Sequence, residues 1–118
     1  MSGSPYTRFP VIETLDIREA SDIRHAVDKM VEAYVSKPPD KFSYRILLPR
    51  DSKSTAKAKK IGLAFQGEFV LGLRRRNAVP KVREVRYIHD ETHYGWLLAS
   101  PEVYEQFEKG SDPFSNNI

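Results

Sequence analysis

The chain of 118 residues contains no cysteine, which excludes disulfide bonds, thiolate metal sites and cysteine nucleophiles. It also lacks any apolar run close to the roughly 20 residues that span a bilayer. Its first ten residues, MSGSPYTRFP, have no positive region followed by an apolar stretch, so they do not have the pattern of a secretory signal. We therefore expect a cytoplasmic or nuclear protein without a membrane partner, and the sequence indicates no cofactor.

The sequence also lacks the established signatures of nucleotide and nucleic-acid binding. It has no RNP-like motif, no zinc-finger spacing and no basic region followed by heptads. The stretch from Gly62 to Gly67 fits the two glycines of a phosphate-binding loop, but Glu68 stands where that loop needs lysine and would repel phosphate. We interpret Gly67 as a turn residue and Gly72 as a bulge or a close-packing site.

What the sequence does have is an uneven distribution of charge. Residues 45–86 contain twelve Lys and Arg against three Asp and Glu, a net charge of +9. Residues 87–118 contain one basic residue against six acidic ones, a net charge of −5. A concentrated basic segment favours a surface that binds phosphate or an acidic partner. The alternative is that the basic and acidic segments face each other in the fold and neutralise one another.

The clearest predicted element is an amphipathic helix in the first third of the chain. Apolar residues recur there at steps of three and four and share one helical face. They are Ala20, Ile23, Val27, Met30, Val31 and Tyr34. Asp16 and Glu19 have the spacing of a capping box and are predicted to begin the helix. Pro38 ends it, because proline disfavours the α conformation of the preceding residue.

Other segments are typical of strands. Residues 9–17 are predicted to form a short edge strand and residues 41–51 a second strand. Apolar residues alternate over residues 61–73, which favours a β-hairpin that turns at Gln66 and Gly67. The competing interpretation is a helix from Ser54 to Gln66 that is capped by Gly67, with Gly62 at a cost of about 1 kcal/mol inside it.

The last third of the chain predicts a further pair of strands. Residues 77–80 are expected to turn, residues 81–89 and 94–100 to form strands, and Pro101 to begin a short helix. The predicted fold class is therefore α+β: an antiparallel meander of four to five strands with one long amphipathic helix packed across a face and a short C-terminal helix. Residues 9–110 are expected to form a single globular domain, with flexible segments at residues 1–8 and 111–118.

The segment YIHDETHYGW, residues 87–96, contains two of the three histidines of the chain. His89 and His93 enclose Asp90, Glu91 and Thr92 in a pattern close to the H-E-x-x-H of zinc proteases, which requires a helix to bring both imidazoles to one metal. Here the flanking residues are typical of strands, and no third ligand is evident. We interpret the motif as the turn of a hairpin, and we predict no metal site.

The basic residues suggest the first functional hypothesis. In a meander, residues 74–76 and 81–86 would lie on adjacent strands and form one patch. Bases could stack on the aromatic side chains nearby, which are Phe42, Tyr44, Tyr87, Tyr94 and Trp96. The alternative is that Tyr44, Tyr87 and Trp96 face the helix and build the core, and for Trp96 this alternative is favoured. The predicted nucleic-acid-binding residues are Lys53, Lys57, Lys59, Lys60, Arg74, Arg75, Arg76, Lys81, Arg83, Arg86 and Tyr87. The sequence thus favours a small non-enzymatic protein that binds RNA or single-stranded DNA.

Two other functions stay open at this point. The first alternative is a protein-interaction module, an inhibitor or adaptor that docks on an acidic partner or associates with itself as a homodimer. The second is a small metal-independent ribonuclease, with a histidine or glutamate as general base and cations that stabilise the transition state. Residues of the right types for it occur close together in the chain. They are Arg83, Arg86, Tyr87, His89, Glu91 and His93.

Overall fold

The computed structural model describes residues 13–16, 22–50, 55–106 and 113–114. Helices and strands alternate over most of this part of the chain, and the last two strands form a hairpin. In chain order the elements are β1 (Glu13–Asp16), α1 (Ile23–Ser36), β2 (Ser43–Pro49), α2 (Thr55–Arg75), β3 (Arg83–Ile88), β4 (His93–Ala99) and α3 (Pro101–Tyr104). None of the helices in these residues is long and apolar enough to cross a membrane.

The strands form one sheet in the order β1-β2-β4-β3. The strands β2, β4 and β3 are antiparallel neighbours, with Ile46 opposite Trp96 and Arg86 opposite Trp96 from the other side. The edge strand β1 runs parallel to β2, with Leu15 opposite Ile46. The α+β class is confirmed. The predicted meander of four to five antiparallel strands is not, because three described strands are antiparallel and β1 is parallel.

The segment predicted as a hairpin at residues 61–73 is helical, so this prediction is wrong. The four buried residues Ile61, Phe65, Phe69 and Leu73 recur every four positions and lie on one face of α2, whereas Leu63, which the alternating pattern groups with them, is exposed. The competing helical interpretation is closer, but α2 continues past Gly67 to Arg75. Periodicity over so short an apolar run does not distinguish the two structures.

Two glycines of α2 are explained by close packing. A Cβ atom on Gly62 would lie 2.0 Å from Cε3 of Trp96, so the indole ring rests directly on the helix backbone. A Cβ atom on Gly72 would lie 2.9 Å from Cγ2 of Val31 on α1. The interpretation of Gly72 as a close-packing site is therefore confirmed. Gly67, interpreted as a turn residue, is instead inside the helix with no atom near its missing Cβ.

The first helix begins later than its predicted cap. Asp16 ends β1, and α1 begins at Ile23 without a capping hydrogen bond from the Asp22 side chain, so the prediction that Asp16 caps the helix is wrong. Glu19, the other residue of the predicted capping box, lies outside the described residues. The helix ends at Ser36, just before Lys37 and Pro38, as the sequence predicts. The predicted single long helix across the sheet is not confirmed either, because α1 and α2 pack together over the same core.

The two faces of the sheet have separate cores. The larger core contains α1, α2 and the sheet residues Tyr44, Ile46, Leu48, Trp96 and Leu98. Phe114 lies beyond the predicted domain boundary at residue 110, yet it is buried in this core with its ring centroid 4.7 Å from that of Tyr94. The smaller core lies on the opposite face and contains Tyr87, Leu97, Ala99 and Val103 of α3. Residues 1–8, predicted to be flexible, lie outside the described residues.

Candidate nucleic-acid interface

The end of α2 determines where the arginines at residues 74–76 lie. Asn77 adopts a positive φ of 60°, which asparagine tolerates better than most residues. Its amide donates to the Arg74 carbonyl at 3.0 Å, and the Ala78 amide donates to the Leu73 carbonyl at 2.8 Å. This pair of bonds is a Schellman motif, which satisfies the last carbonyls of the helix and reverses the chain. The arginines therefore surround a helix end, and their predicted position on a strand beside residues 81–86 is wrong.

Four of the predicted basic residues are exposed around this α2–β3 connection. None of them makes an ion pair with any residue that the structure describes. They are Arg74, Arg75, Lys81 and Arg83, and we call them the carboxyl-end cluster from their position along the chain. The Arg83 side chain is on the face of the sheet opposite α2, because Arg83 pairs with Ala99 of the smaller core. Part of the placement of Arg74 and Arg75 has a local cause, since cations in the last turn of a helix interact favourably with its dipole. Lys81 and Arg83 come after the end of the helix, so the helix dipole does not explain their placement.

Arg76 is different, because an acidic residue of α1 neutralises it. Its Nη2 atom donates to both carboxylate oxygens of Glu32, with a distance of 3.0 Å to Oε2. The hydrogen bond and the charge of Glu32 raise the pKa of Arg76 above its ordinary value. Arg76 therefore holds α1 against the end of α2, and its charge is already compensated.

Arg86 is also compensated, and it faces the other side of the sheet from Arg83. Its guanidinium lies over the Trp96 ring, 4.3 Å from the centroid, and its Nη2 atom donates to Glu84 Oε1 at 3.0 Å. Trp96 belongs to the larger core, so it lies on the helix-facing side of the sheet. Glu84 and Arg86 share that side, because alternate residues of a strand share a face. Arg86 thus covers the edge of the larger core and does not join the carboxyl-end cluster.

The predicted lysines lie at the opposite end of α2. Lys57, Lys59 and Lys60 occupy its first two turns, and we call them the amino-end cluster. At a rise of about 1.5 Å per residue, Lys57 and Arg75 are separated by roughly 27 Å along the helix. Lys53 lies outside the described residues. The described lysines of this segment therefore form a group separate from the carboxyl-end cluster.

The predicted aromatic platform is not exposed. Tyr87 is 3% exposed, and Phe42, Tyr44 and Trp96 are buried as well. The Tyr87 ring covers Gly95 across the β3–β4 pair, where a Cβ atom would lie 2.3 Å from the ring. Base stacking on these side chains would require them to leave the core, so the interpretation of the sheet as a stacking platform is wrong.

The H-D-E-T-H motif forms the turn of the β3–β4 hairpin, as interpreted from the sequence. One carboxylate oxygen of Asp90 accepts from the Thr92 amide at 2.8 Å, the Thr92 hydroxyl at 2.9 Å and the His93 amide at 2.8 Å. Desolvation is the largest single effect on the pKa of Asp90 and acts to raise it, but the three hydrogen bonds together outweigh it and hold that pKa below its ordinary value. Oδ1 of Asp90 therefore shapes the turn by accepting three hydrogen bonds.

His89 lies beside the hydrogen-bonded side chains of Tyr87 and Arg45. Arg45 Nη1 donates to the Tyr87 hydroxyl at 2.9 Å, and that hydroxyl lies 3.3 Å from His89 Nδ1. Burial, followed by the charge of Arg45, lowers the pKa of His89, while burial raises the pKa of Tyr87. These shifts favour neutral side chains, and no group of three potential metal ligands occurs among the described residues.

The residues proposed for a ribonuclease do not converge. Arg83 and Arg86 lie on opposite faces of β3, Tyr87 is buried, and His93 contacts Thr92 in the turn. The sequence analysis missed the compensating carboxylates of Glu32 and Glu84. Glu84 could have been identified from the sequence as a partner of Arg86, because residues two apart on a strand share a face. Glu32 could not have been identified in this way, because it lies on a different helix from Arg76.

No model of a known protein family matches the chain, and no curated protein or solved structure matches it. The class that can be assigned is therefore structural: an α+β domain whose sheet carries two helices on one face. Its candidate interface is the carboxyl-end cluster at the α2–β3 connection.

Proposed function

We propose that this protein binds nucleic acid without catalysis and contacts the phosphate backbone through the carboxyl-end cluster. One observation carries the proposal. The fold neutralises Arg76 with Glu32 and Arg86 with Glu84, yet it leaves Arg74, Arg75, Lys81 and Arg83 exposed without an ion pair in the described residues.

Electrostatics supports this proposal. Like charges placed close together repel one another and destabilise the fold unless an anion offsets them. A nucleic acid presents one negative charge per about 1.7 Å of duplex axis, so it can offset several cations at once. Contacts with phosphate carry no sequence information, and the binding we propose is therefore insensitive to sequence. The preference for single strands rested on exposed aromatic side chains and is not carried forward.

The test is fluorescence anisotropy with labelled single-stranded RNA, single-stranded DNA and duplex DNA, each titrated at several salt concentrations. The variant Arg75→Glu/Lys81→Glu removes two cations of the cluster and leaves the Arg76–Glu32 pair intact. We expect weaker binding to all three ligands, with the slope of log K against log salt reduced by about 1.5 because two phosphate contacts are lost.

The matched control is Arg24→Glu/Lys29→Glu, which changes the net charge by the same amount at exposed sites of α1 that are not among the predicted binding residues. We expect this control to retain most of the affinity and the salt slope. An equal loss in both variants would mean that net charge alone drives binding. Absence of binding at low salt would overturn the proposal, and cleavage of the RNA would contradict its non-enzymatic part.

A further inference from the structure

Of the three glycines of α2, Gly67 is the one whose small size is not explained by packing in the described residues. Gly62 packs under Trp96 and Gly72 against Val31, so a side chain at either site would collide with the core. Gly67 is exposed inside the same helix and has no atom within 4 Å of where its Cβ would be. A glycine at such a site disfavours the helix relative to alanine, because its backbone is freer in the unfolded chain. No packing within the described residues requires this small residue.

Exposed leucines stand one turn to either side of Gly67. Leu63 is 45% exposed and Leu71 is 41% exposed, which makes them two of the largest apolar side chains on the described surface. At 100° per residue, both lie within about 40° of Gly67 on the outward face of α2. The two side chains therefore form the walls of a shallow notch whose floor is the helix backbone at Gly67.

The same outward face is basic at both ends. Lys60 lies two turns before Gly67 and Arg74 two turns after it, each within about 20° of the glycine direction. Both are exposed and make no ion pair with a described residue. We call this row of five residues the α2 stripe: Lys60, Leu63, Gly67, Leu71 and Arg74. Over 14 residues it is about 21 Å long.

We propose that the α2 stripe is a docking surface for an amphipathic helix of another protein, one with small and apolar residues at its centre and acidic residues near both ends. Helices pack most closely where one of them has a small residue at the crossing point, and Gly67 provides it. The cations at either end then fix the position of the partner by pairing with its carboxylates. This inference goes beyond nucleic-acid binding and does not depend on it.

Charge complementarity argues for this occupant over a second copy of the chain. Two copies that cross at Gly67 in an antiparallel arrangement would bring Lys60 of each against Arg74 of the other, and like charges at an interface are unfavourable. A lipid surface fits less well than a helix. Membrane-surface helices bury a wide apolar face, whereas the stripe offers two leucines and a recess that lipid does not need.

The probe for the test is a synthetic helical peptide with alanine at its centre, leucines one turn away and glutamates two turns away on the same face. The control peptide has lysines in place of those glutamates. Binding is measured by fluorescence anisotropy at low salt. We expect the acidic peptide to bind at least about tenfold more tightly than the basic one, which is the discrimination that one or two ion pairs supply.

The informative variant is Gly67→Leu, which fills the notch. It should fold at least as well as the parent, because leucine is a better helix former than glycine and the site is open. We expect it to bind the acidic peptide at least about tenfold more weakly. The matched control, Ala33→Leu, adds the same bulk at an exposed site of α1 and should bind like the parent.

Four results would overturn the proposal. The first is that the acidic peptide does not bind, and the second is that Gly67→Leu binds it as well as the parent does. The third is a dimer in light scattering that Gly67→Leu abolishes, which would make a second copy the occupant. The fourth is that the parent binds vesicles of phosphatidylserine and phosphatidylcholine more tightly than the acidic peptide, which would make a membrane the occupant.

Discussion

Arg74 and Arg76 are two residues apart in the sequence and differ in their surroundings. Arg76 reaches Glu32 on α1, while Arg74 points from the last turn of α2 into solvent without an ion pair in the described residues. The sequence predicts both as phosphate contacts, because it contains no local sign that Glu32 lies beside only one of them. At the scale of the residue, composition thus identifies the candidate cations, and only the packing of α1 on α2 separates the compensated ones from the available ones.

His89 leads to a prediction about pH. Its pKa is lowered in the folded protein, by burial first and by Arg45 second, so the unfolded chain binds the proton more readily. Stability that depends on neutral His89 is therefore present above the ordinary pKa of about 6.5 and is lost as the pH falls below it. We expect the free energy of unfolding in urea to decrease less between about pH 7 and pH 5 in His89→Gln than in the parent.

The same two proteins should be compared at about pH 8, where histidine is neutral in both states. That measurement gives the cost of the substitution itself, which is then subtracted. Parallel pH profiles for the parent and His89→Gln would show that the imidazole does not contribute to acid sensitivity.

At the scale of the element, the sequence pattern of α2 leads to a wrong prediction of a hairpin, and the physical reason for the error can be identified. Ile61, Leu63 and Phe65 alternate as strand residues do, and Gly62 and Gly67 are poor helix formers. The spacing of Ile61, Phe65, Phe69 and Leu73 is equally helical, and burial follows that spacing. Gly62 is tolerated because of Trp96, a contact between residues far apart in the sequence. The hairpin at residues 89–92 was predictable, because its signals are local.

The glycines of α2 allow a direct comparison within one helix. Gly67→Ala should raise the free energy of unfolding by about 0.5–1 kcal/mol, because alanine favours the helix and its Cβ meets no other atom. Gly62→Ala should lower it by about 1–3 kcal/mol despite the same gain in propensity, because the new Cβ would overlap the Trp96 ring. Urea denaturation measures both, and equal effects at the two sites would contradict the packing of Trp96 on α2.

At the scale of the whole molecule, the sequence predicts the class and the structure determines the order of strands. Each of β2, β3 and β4 has a readable local pattern. No local sequence pattern predicts the parallel pairing of β1 with β2, because this pairing depends on how α1 returns the chain across the sheet. The segregation of charge is retained in three dimensions only in part. Two of the central arginines, Arg76 and Arg86, meet carboxylates. The other described basic residues that the sequence predicts as phosphate contacts lie near one end of α2 or the other.

Phe114 extends the folded unit beyond the boundary that the sequence predicts. Its side chain is fully buried, with its ring centroid 5.4 Å from that of Trp96. Phe114→Ala should therefore lower the free energy of unfolding by about 3–5 kcal/mol, as expected for a buried phenylalanine. Val79→Ala, at a residue that is 78% exposed, is the control and should change it by less than about 0.5 kcal/mol. Guanidinium denaturation measures the free energy of unfolding of both variants and of the parent.

The position of β3 at the end of the strand order has a consequence for solubility. An edge strand presents backbone groups that can pair with another chain, and charged side chains along it prevent such aggregation. Arg83, Glu84 and Arg86 provide those charges on β3, whose Ile88 is 44% exposed. Replacing the arginines by neutral residues would remove this protection and expose a strand that is able to recruit further copies. Reversal of Arg83 to glutamate keeps the edge charged and leaves the Arg86–Glu84 pair intact, so it is the substitution that separates loss of binding from loss of soluble protein.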